Sequence, residues 1–178
     1  MSQAEDLLRF LASRRSVRRF KKTPVDLSTV LRAIEIARYA PSARNSQPWR
    51  FIIVTDERLK ETLSSIHGAA WPLREAPLGV LIACNTAESP VSYLADCANA
   101  TIYFMLAAHA LGLGTVWIQT LRDIDKLREL LSLPLEYIPV ALIAVGYPDE
   151  QPQAKPRKPL EEIVFFNKFG ESQLVRDR

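Results

Sequence analysis

Apolar residues recur along this chain at two periods, one helical and one alternating, and the switch between them predicts the elements. Ala4, Leu7, Leu8 and Leu11 fall at helical spacing and predict an amphipathic helix that runs into a basic segment from Arg14 to Lys22. Asp26, two residues after Pro24, is a good N-cap for a second helix with Leu27, Val30, Leu31 and Ile34 on one face. Both helices are expected to face the core. Pro41 stops the second, and a polar loop through Gln47 and Pro48 leads into a strand from Trp49 to Thr55. A helix is expected from Asp56 to about Ile66 and a loop over Gly68 to Pro72, followed by a strand from Leu78 to Cys84. A helix from Ser92 to Leu111, a strand from Thr115 to Gln119, a helix from Asp123 to Leu131 and a strand from Ile138 to Tyr147 complete the series. Beyond Pro148 the chain turns proline-rich and cationic, which predicts an extended tail whose Ile163, Val164, Phe165 and Phe166 need a surface to cover. No internal repeat or second-domain boundary is visible, so residues 1–178 are expected to form one domain.

Composition narrows the function classes. At 178 residues the chain can bury a core without staples. Its net charge of +3 comes from 23 cations against 20 anions, too nearly balanced for composition alone to argue nucleic-acid binding. Cys84 and Cys97 lack a Cys-x-x-Cys spacing and are expected to be buried free thiols. Met1 to Leu11 carries Glu5 and Asp6 and no cationic leader, so it resembles neither a signal nor a transit peptide, and a cytoplasmic location is expected. Cys97 to Leu121 is free of Asp, Glu, Lys and Arg over 25 residues. Asn99, Thr101, His109 and Gln119, with Gly112 and Gly114, nevertheless predict a buried helix and strand rather than a membrane span. His67 and His109 stand apart from other ligand types, so no metal site is expected, and His109 reads as a core or interface histidine. No Walker loop, nucleophile elbow or Gly-x-Gly-x-x-Gly occurs.

The cluster Arg14, Arg15, Arg18, Arg19, Lys21 and Lys22 could be a solvated face, a nucleic-acid patch or an anion site. Ser16 inside it, and a second cationic pair, Lys155 and Arg157, in the tail, favour a small anion such as a phosphate. Bases would need stacking aromatics among the cations, and only Phe20 is offered.

The run Arg14-Arg15-Ser16-Val17-Arg18-Arg19-Phe20, followed by Ala40-Pro41-Ser42-Ala43-Arg44-Asn45-Ser46-Gln47-Pro48-Trp49, resembles the paired N-terminal motifs of the nitroreductase family. The likeness continues through Leu106 to Gly114, the strand from Val140 to Tyr147, and Lys155-x-Arg157-x-Pro159-Leu160. It implies an α+β fold with a central, mostly antiparallel sheet of four to five strands flanked by helices. It also implies a homodimer in which C-terminal arms are exchanged and flavin mononucleotide (FMN) sits at the interface. Arg14, Arg15 and Ser16 would lie near the phosphate and ribityl chain, with Lys155 and Arg157 as a second phosphate pair. Arg18 would approach the pyrimidine end of the ring, where a fixed guanidinium favours the negative charge gained on two-electron reduction. Pro41, Ser42, Ala43, Asn45 and Gln47 would reach the flavin of the other subunit, and Gly114 and Thr115, with Gly112 and Leu113, would pack near the ring by backbone, glycine leaving room for an amide to approach.

Two stretches depart from the family pattern. Gly68-Ala-Ala-Trp-Pro72 is apolar where larger relatives place polar side chains, so Trp71 is expected to cover the substrate side, and Gln119 stands where a glycine is commoner. The implied activity is ping-pong transfer of electrons from NADH or NADPH to a nitroaromatic, quinone or flavin at one shallow site, with no side chain acting as nucleophile. Dimethylbenzimidazole synthesis, reductive dehalogenation and azoline oxidation are alternatives on the same fold. A flavin carrier without turnover and a basic nucleic-acid binder are the readings from other classes.

Overall fold

In the computed structural model, which describes residues 2–171, the chain builds one antiparallel sheet between two helical layers. The strands are β1 (Trp49–Val54), β2 (Leu78–Asn85), β3 (Gly114–Gln119) and β4 (Tyr137–Gly146), in the order β1-β2-β4-β3. The helices are α1 (Gln3–Ser13), α2 (Leu27–Ala37), α3 (Glu57–Ser64), α4 (Pro72–Glu75), α5 (Tyr93–Ala110) and α6 (Ile124–Leu131), with short 3-10 turns at Ala43–Asn45 and Leu160–Glu162. This is the expected α+β class with four strands. Asp26 and Asp56 cap α2 and α3 by accepting from the Ser28 and Leu59 amides at 2.8 Å. The turn α4 was not expected, because Trp71-Pro72 begins it without a side-chain cap.

Residues of β2 and β4 alternate between two cores, since successive side chains of a strand point to opposite faces. Val80, Ile82 and Ile143 join α2 and α5 on one side, while Leu81, Leu142 and Ala144 join α3, α4 and α6 on the other. Every residue of β2 is buried, which explains why it reads as a continuous apolar run. Among the described residues no helix is long and apolar enough to cross a membrane. The uncharged stretch is divided between the buried faces of α5 and β3.

Three expectations are corrected. Cys84 and Cys97 are buried as expected but are joined in a disulfide, with Cα atoms 6.0 Å apart, because β2 and α5 pack face to face in the first core. The pairing is long-range packing that the 13-residue separation does not reveal. Helix α1 buries no residue, and Leu7, Leu8 and Leu11 are all more than half exposed. Helix α2 buries Val30, Ala33 and Ala37, while Leu27 and Leu31 stay outside. The apolar stripe of α1 and one side of α2 therefore face away from this chain's own core.

Residues 16–20 cross the end of the sheet where β3 begins and β4 finishes. Ser16 bridges Thr115, the Val17 amide donates to the Thr115 carbonyl at 3.0 Å, and Phe20 bridges Pro148. Gly114 and Gly146 face each other across β3 and β4. A Cβ on Gly114 would fall 2.8 Å from Val17 Cβ, and one on Gly146 would fall 2.9 Å from the Phe20 ring. The space a side chain would take at Gly114 is filled by Val17, while the Gly114 backbone lines the cleft described below. Gly114→Ala is expected to cost about 1–3 kcal/mol by overpacking, whereas Gly68→Ala, with nothing within 4 Å of the added carbon, should be close to neutral. Urea melts of the two variants check this, and equal midpoints would contradict it.

Candidate functional site

The segment held by those glycines delivers Arg14 and Arg15 to a cleft of about 480 Å³, within the usual size of cofactor pockets. Its other walls are His109 with the turn from Gly112 to Thr115, and the chain after β4 from Pro148 to Ala154. The segment after α1 and the segment after β4 therefore meet. Arg14 is half-buried, and its Nη1 is fully buried with no hydrogen-bond partner. Burial, and then the nearby guanidinium groups of Arg15 and Arg157, hold its pKa below the ordinary arginine value. A buried guanidinium nitrogen left without an acceptor is costly, and an anionic oxygen is the partner that relieves it. The residues present fit a phosphate group.

The other predicted cations are placed unequally. Arg15 lines the cleft but turns Nη1 back to the carbonyls of Ala12 and Arg14, at 2.7 and 2.9 Å, satisfying the last turn of α1. Arg157 is close enough to act on Arg14, although its Nη1 contact is local, to the Lys155 carbonyl at 3.4 Å. Lys155 follows the last lining residue, Ala154, and is exposed. The Arg18 side chain is exposed, but its amide is held with that of Arg19 on Glu150 Oε1, the Arg19 bond being 3.2 Å. Ser16 does not itself line the cleft; its backbone bridges Thr115, which does.

The second motif does not join this cleft within the chain. Pro41, Ser42, Ala43, Asn45 and Gln47 form a separate, largely exposed loop. Arg44, Asn45 and Gln47 have φ of 53°, 57° and 47°, the left-handed region that non-glycine residues seldom adopt. Such a cluster of outliers persists only where surrounding contacts over-determine it, and it is a common mark of functional loops. Asp96 on α5, 3% exposed, supplies those contacts: Oδ1 accepts from the Ala43 amide at 3.0 Å and Oδ2 from the Ser89 hydroxyl at 2.7 Å. Ser42 Oγ accepts from the Gln47 amide at 3.0 Å, and Asn99 donates to the Pro41 carbonyl at 3.1 Å.

Trp71 lies half-buried on another loop, outside the residues that line the basic cleft. His67 ties that loop to the end of β3: its Nδ1 accepts from the Ala69 amide at 3.2 Å, so Nε2 carries the proton and donates to the Gln119 carbonyl at 2.7 Å. The Gln119 side chain folds back, Oε1 accepting from the amides of Thr120 and Leu121 at 2.8 and 3.0 Å. Asp96, His109 and Glu150 are the site residues that sequence reasoning missed. Each acts on a segment far away in the chain, and the only local hint was His109 in the turn before Gly112.

The sequence profile of the Nitroreductase family matches residues 11–88 and 67–147. A protein of Methanothermobacter thermautotrophicus, provisionally described as an NADH dehydrogenase/NAD(P)H nitroreductase, is 32% identical across 83% of this chain and 80% of its own. An iodotyrosine deiodinase of Thermotoga neapolitana is 31% identical across 88% of this chain and 95% of its own. The solved structure of an FMN-dependent nitroreductase from Clostridium difficile superposes with a TM-score of 0.83 at 31% identity, covering 90% of this chain and 98% of that one.

Removing the Asp96 carboxylate leaves the Ala43 amide and the Ser89 hydroxyl without their acceptor. Asp96→Ala is expected to cost about 2 kcal/mol, a fall of about 4–8 °C in Tm for a chain of this size, and Asp96→Asn, which keeps an acceptor, less. Thermal melts that leave Asp96→Ala level with the parent would contradict the role given to this carboxylate.

Proposed function

The chain belongs to the nitroreductase family, and on that footing we propose that it is an FMN-dependent oxidoreductase that carries electrons from NADH or NADPH to a small organic acceptor such as a nitroaromatic, a quinone or free flavin. The observation that carries this reading is Arg14 Nη1, buried and unpartnered in a cleft where cations from both ends of the chain converge. Arg14, with Arg15, Arg157 and Lys155, would hold the phosphate; Ser16 and Thr115 would line the way to the ring; Arg18 would stand toward its pyrimidine end. When bound, FMN supplies the hydride and electron chemistry. The chain's own contribution is position and charge. Glu150 keeps the Arg18 backbone in place through its amide, and the cations stabilise negative charge that grows on reduction.

We read the working unit as a homodimer built from one domain per chain. Leu7, Leu11, Leu31, Ile36 and Tyr103 expose a broad apolar face on α1, α2 and α5, with a cavity of about 640 Å³ within it. A patch of that kind marks an association surface. The strained loop at 41–47 stands away from its own cleft, so a second copy is the natural source of the missing wall. The tail leaves Leu160 and Ile163 more than half exposed, which suits an arm laid on the neighbour. The reading predicts NADH or NADPH and acceptor using the same face in turn. A second reading, favoured by the similarity to an iodotyrosine deiodinase over nearly its whole length, keeps the same electron supply and changes the acceptor to a halogenated aromatic.

The purified protein is expected to be yellow, to elute as a dimer, to bleach on anaerobic addition of NADH or NADPH, and to give parallel double-reciprocal lines against a panel of nitroarenes, quinones, flavins and iodophenols. Arg14→Ala should weaken FMN binding about 10- to 150-fold, the loss of one charge-assisted contact worth about 1.5–3 kcal/mol. A colourless protein that does not take up FMN would overturn the proposal.

A further inference from the structure

His109 stands at the C-terminal end of α5, half-buried, in the wall of the basic cleft. Its ring stacks on Phe10 with centroids 5.0 Å apart and 22° between planes, and its Nε2 lies 2.8 Å from Ser13 Oγ. The Ser13 hydroxyl has one proton, which it donates to the Phe10 carbonyl at 2.7 Å. Ser13 Oγ must therefore accept from His109, which places the proton of the neutral ring on Nε2. Nδ1 is left with its lone pair, and no described residue hydrogen-bonds to it. The contacts with Phe10 and Ser13 hold the ring in one orientation, so the imidazole is a fixed part of the cleft wall.

The charges around it are known. Arg14 and Arg15 follow α1, Arg157 approaches Arg14 from the tail, and Glu150 faces the cleft from the segment after β4. Glu150 already accepts from the amides of Arg18 and Arg19, so it is engaged elsewhere. Burial, then Arg14, then Arg15 push the His109 pKa below its ordinary value, so the ring is neutral in the open cleft near neutral pH. An arriving dianion reverses the sign of the local field and favours the imidazolium.

Resting on the FMN reading above, we propose that His109 is a further binding residue for the cofactor phosphate and takes a proton from solvent onto Nδ1 as the phosphate enters, linking cofactor affinity to pH. The sign follows from linkage. Bound cofactor raises the affinity of His109 for a proton, so a proton favours the bound state, and FMN binds more tightly as pH falls between the lowered pKa of the open site and the raised one of the filled site. Free phosphate monoesters protonate near pH 6, which acts in the opposite direction and is common to any variant.

The test measures FMN and riboflavin dissociation constants on the full-length protein freed of FMN, from pH 8 to pH 5.5, for the parent and for His109→Gln. The expected result is a parent-to-variant affinity ratio for FMN that grows toward low pH, by up to about tenfold per pH unit, the limit for one linked proton, with no such growth for riboflavin, which lacks the phosphate. Parallel FMN profiles would overturn the inference and leave the cofactor reading intact. Failure of the parent to bind FMN at any pH would overturn both. A second measurement does not depend on the variant folding: the chain has 2 histidines, so ring resonances can be followed by NMR with and without FMN. His109 is expected to titrate at higher pH when FMN is bound; an unmoved His109 titration sinks the proposal.

Discussion

Gly114 and Gly146, opposite one another on neighbouring strands, leave two hollows at the end of the sheet; Val17 fills the first, and Pro77 and Phe20 fill the second. Val17 and Phe20 are buried and apolar, so the backbone between them cannot slide without exposing one or colliding with the other. That constraint turns a basic stretch, which would otherwise be a solvated surface strand, into a wall of a cleft. It also brings the chain's beginning against its later part, since Phe20 bridges Pro148 and the Lys21 amide donates to the Tyr147 carbonyl at 2.9 Å.

The site that results is held in an electrostatically unfavourable state. Arg14 has a buried nitrogen without a partner, Arg15 and Arg157 repel it, and the carboxylate within reach, Glu150, is engaged by main-chain amides. His109 completes the wall, its pKa lowered by burial and then by Arg14 and Arg15. The left-handed residues at 44, 45 and 47 add a second local cost, held by the buried carboxylate of Asp96. Both costs are borne by the central strands, where β2 and β4 bury nearly every side chain between two cores. Stability is concentrated in the sheet so that its margins can be strained and charged.

The helical periphery has the complementary imbalance. The stripe of α1 and the outer side of α2 obey the periodicity of core helices, yet among the described residues they stay exposed. An amphipathic face without an internal partner is a surface prepared for association. The loop of the second motif lies away from the basic cleft, so the two family motifs, both on one chain, do not build one pocket there. The exposed apolar helices and the separation of the two motifs are the observations on which the proposed homodimer rests.

Element order and type were legible from sequence, because helix and strand periods and N-caps such as Asp26 and Asp56 are local properties. The basic motif, the strained loop and the tail cations could be named for the same reason: each is a short run of residues with its own chemistry. What the tertiary structure alone decided was adjacency across long separations. Cys84 meets Cys97 because β2 packs on α5; Gly114 serves Val17 because a segment nearly a hundred residues earlier crosses the sheet there. Asp96, His109 and Glu150 became visible only once their distant partners stood beside them. Periodicity records which face of an element is apolar, but not what covers it. For α1 the described residues leave its leucines more than half exposed, and the cleft joins the segment after α1 to the segment after β4, which no pattern along the sequence brings together.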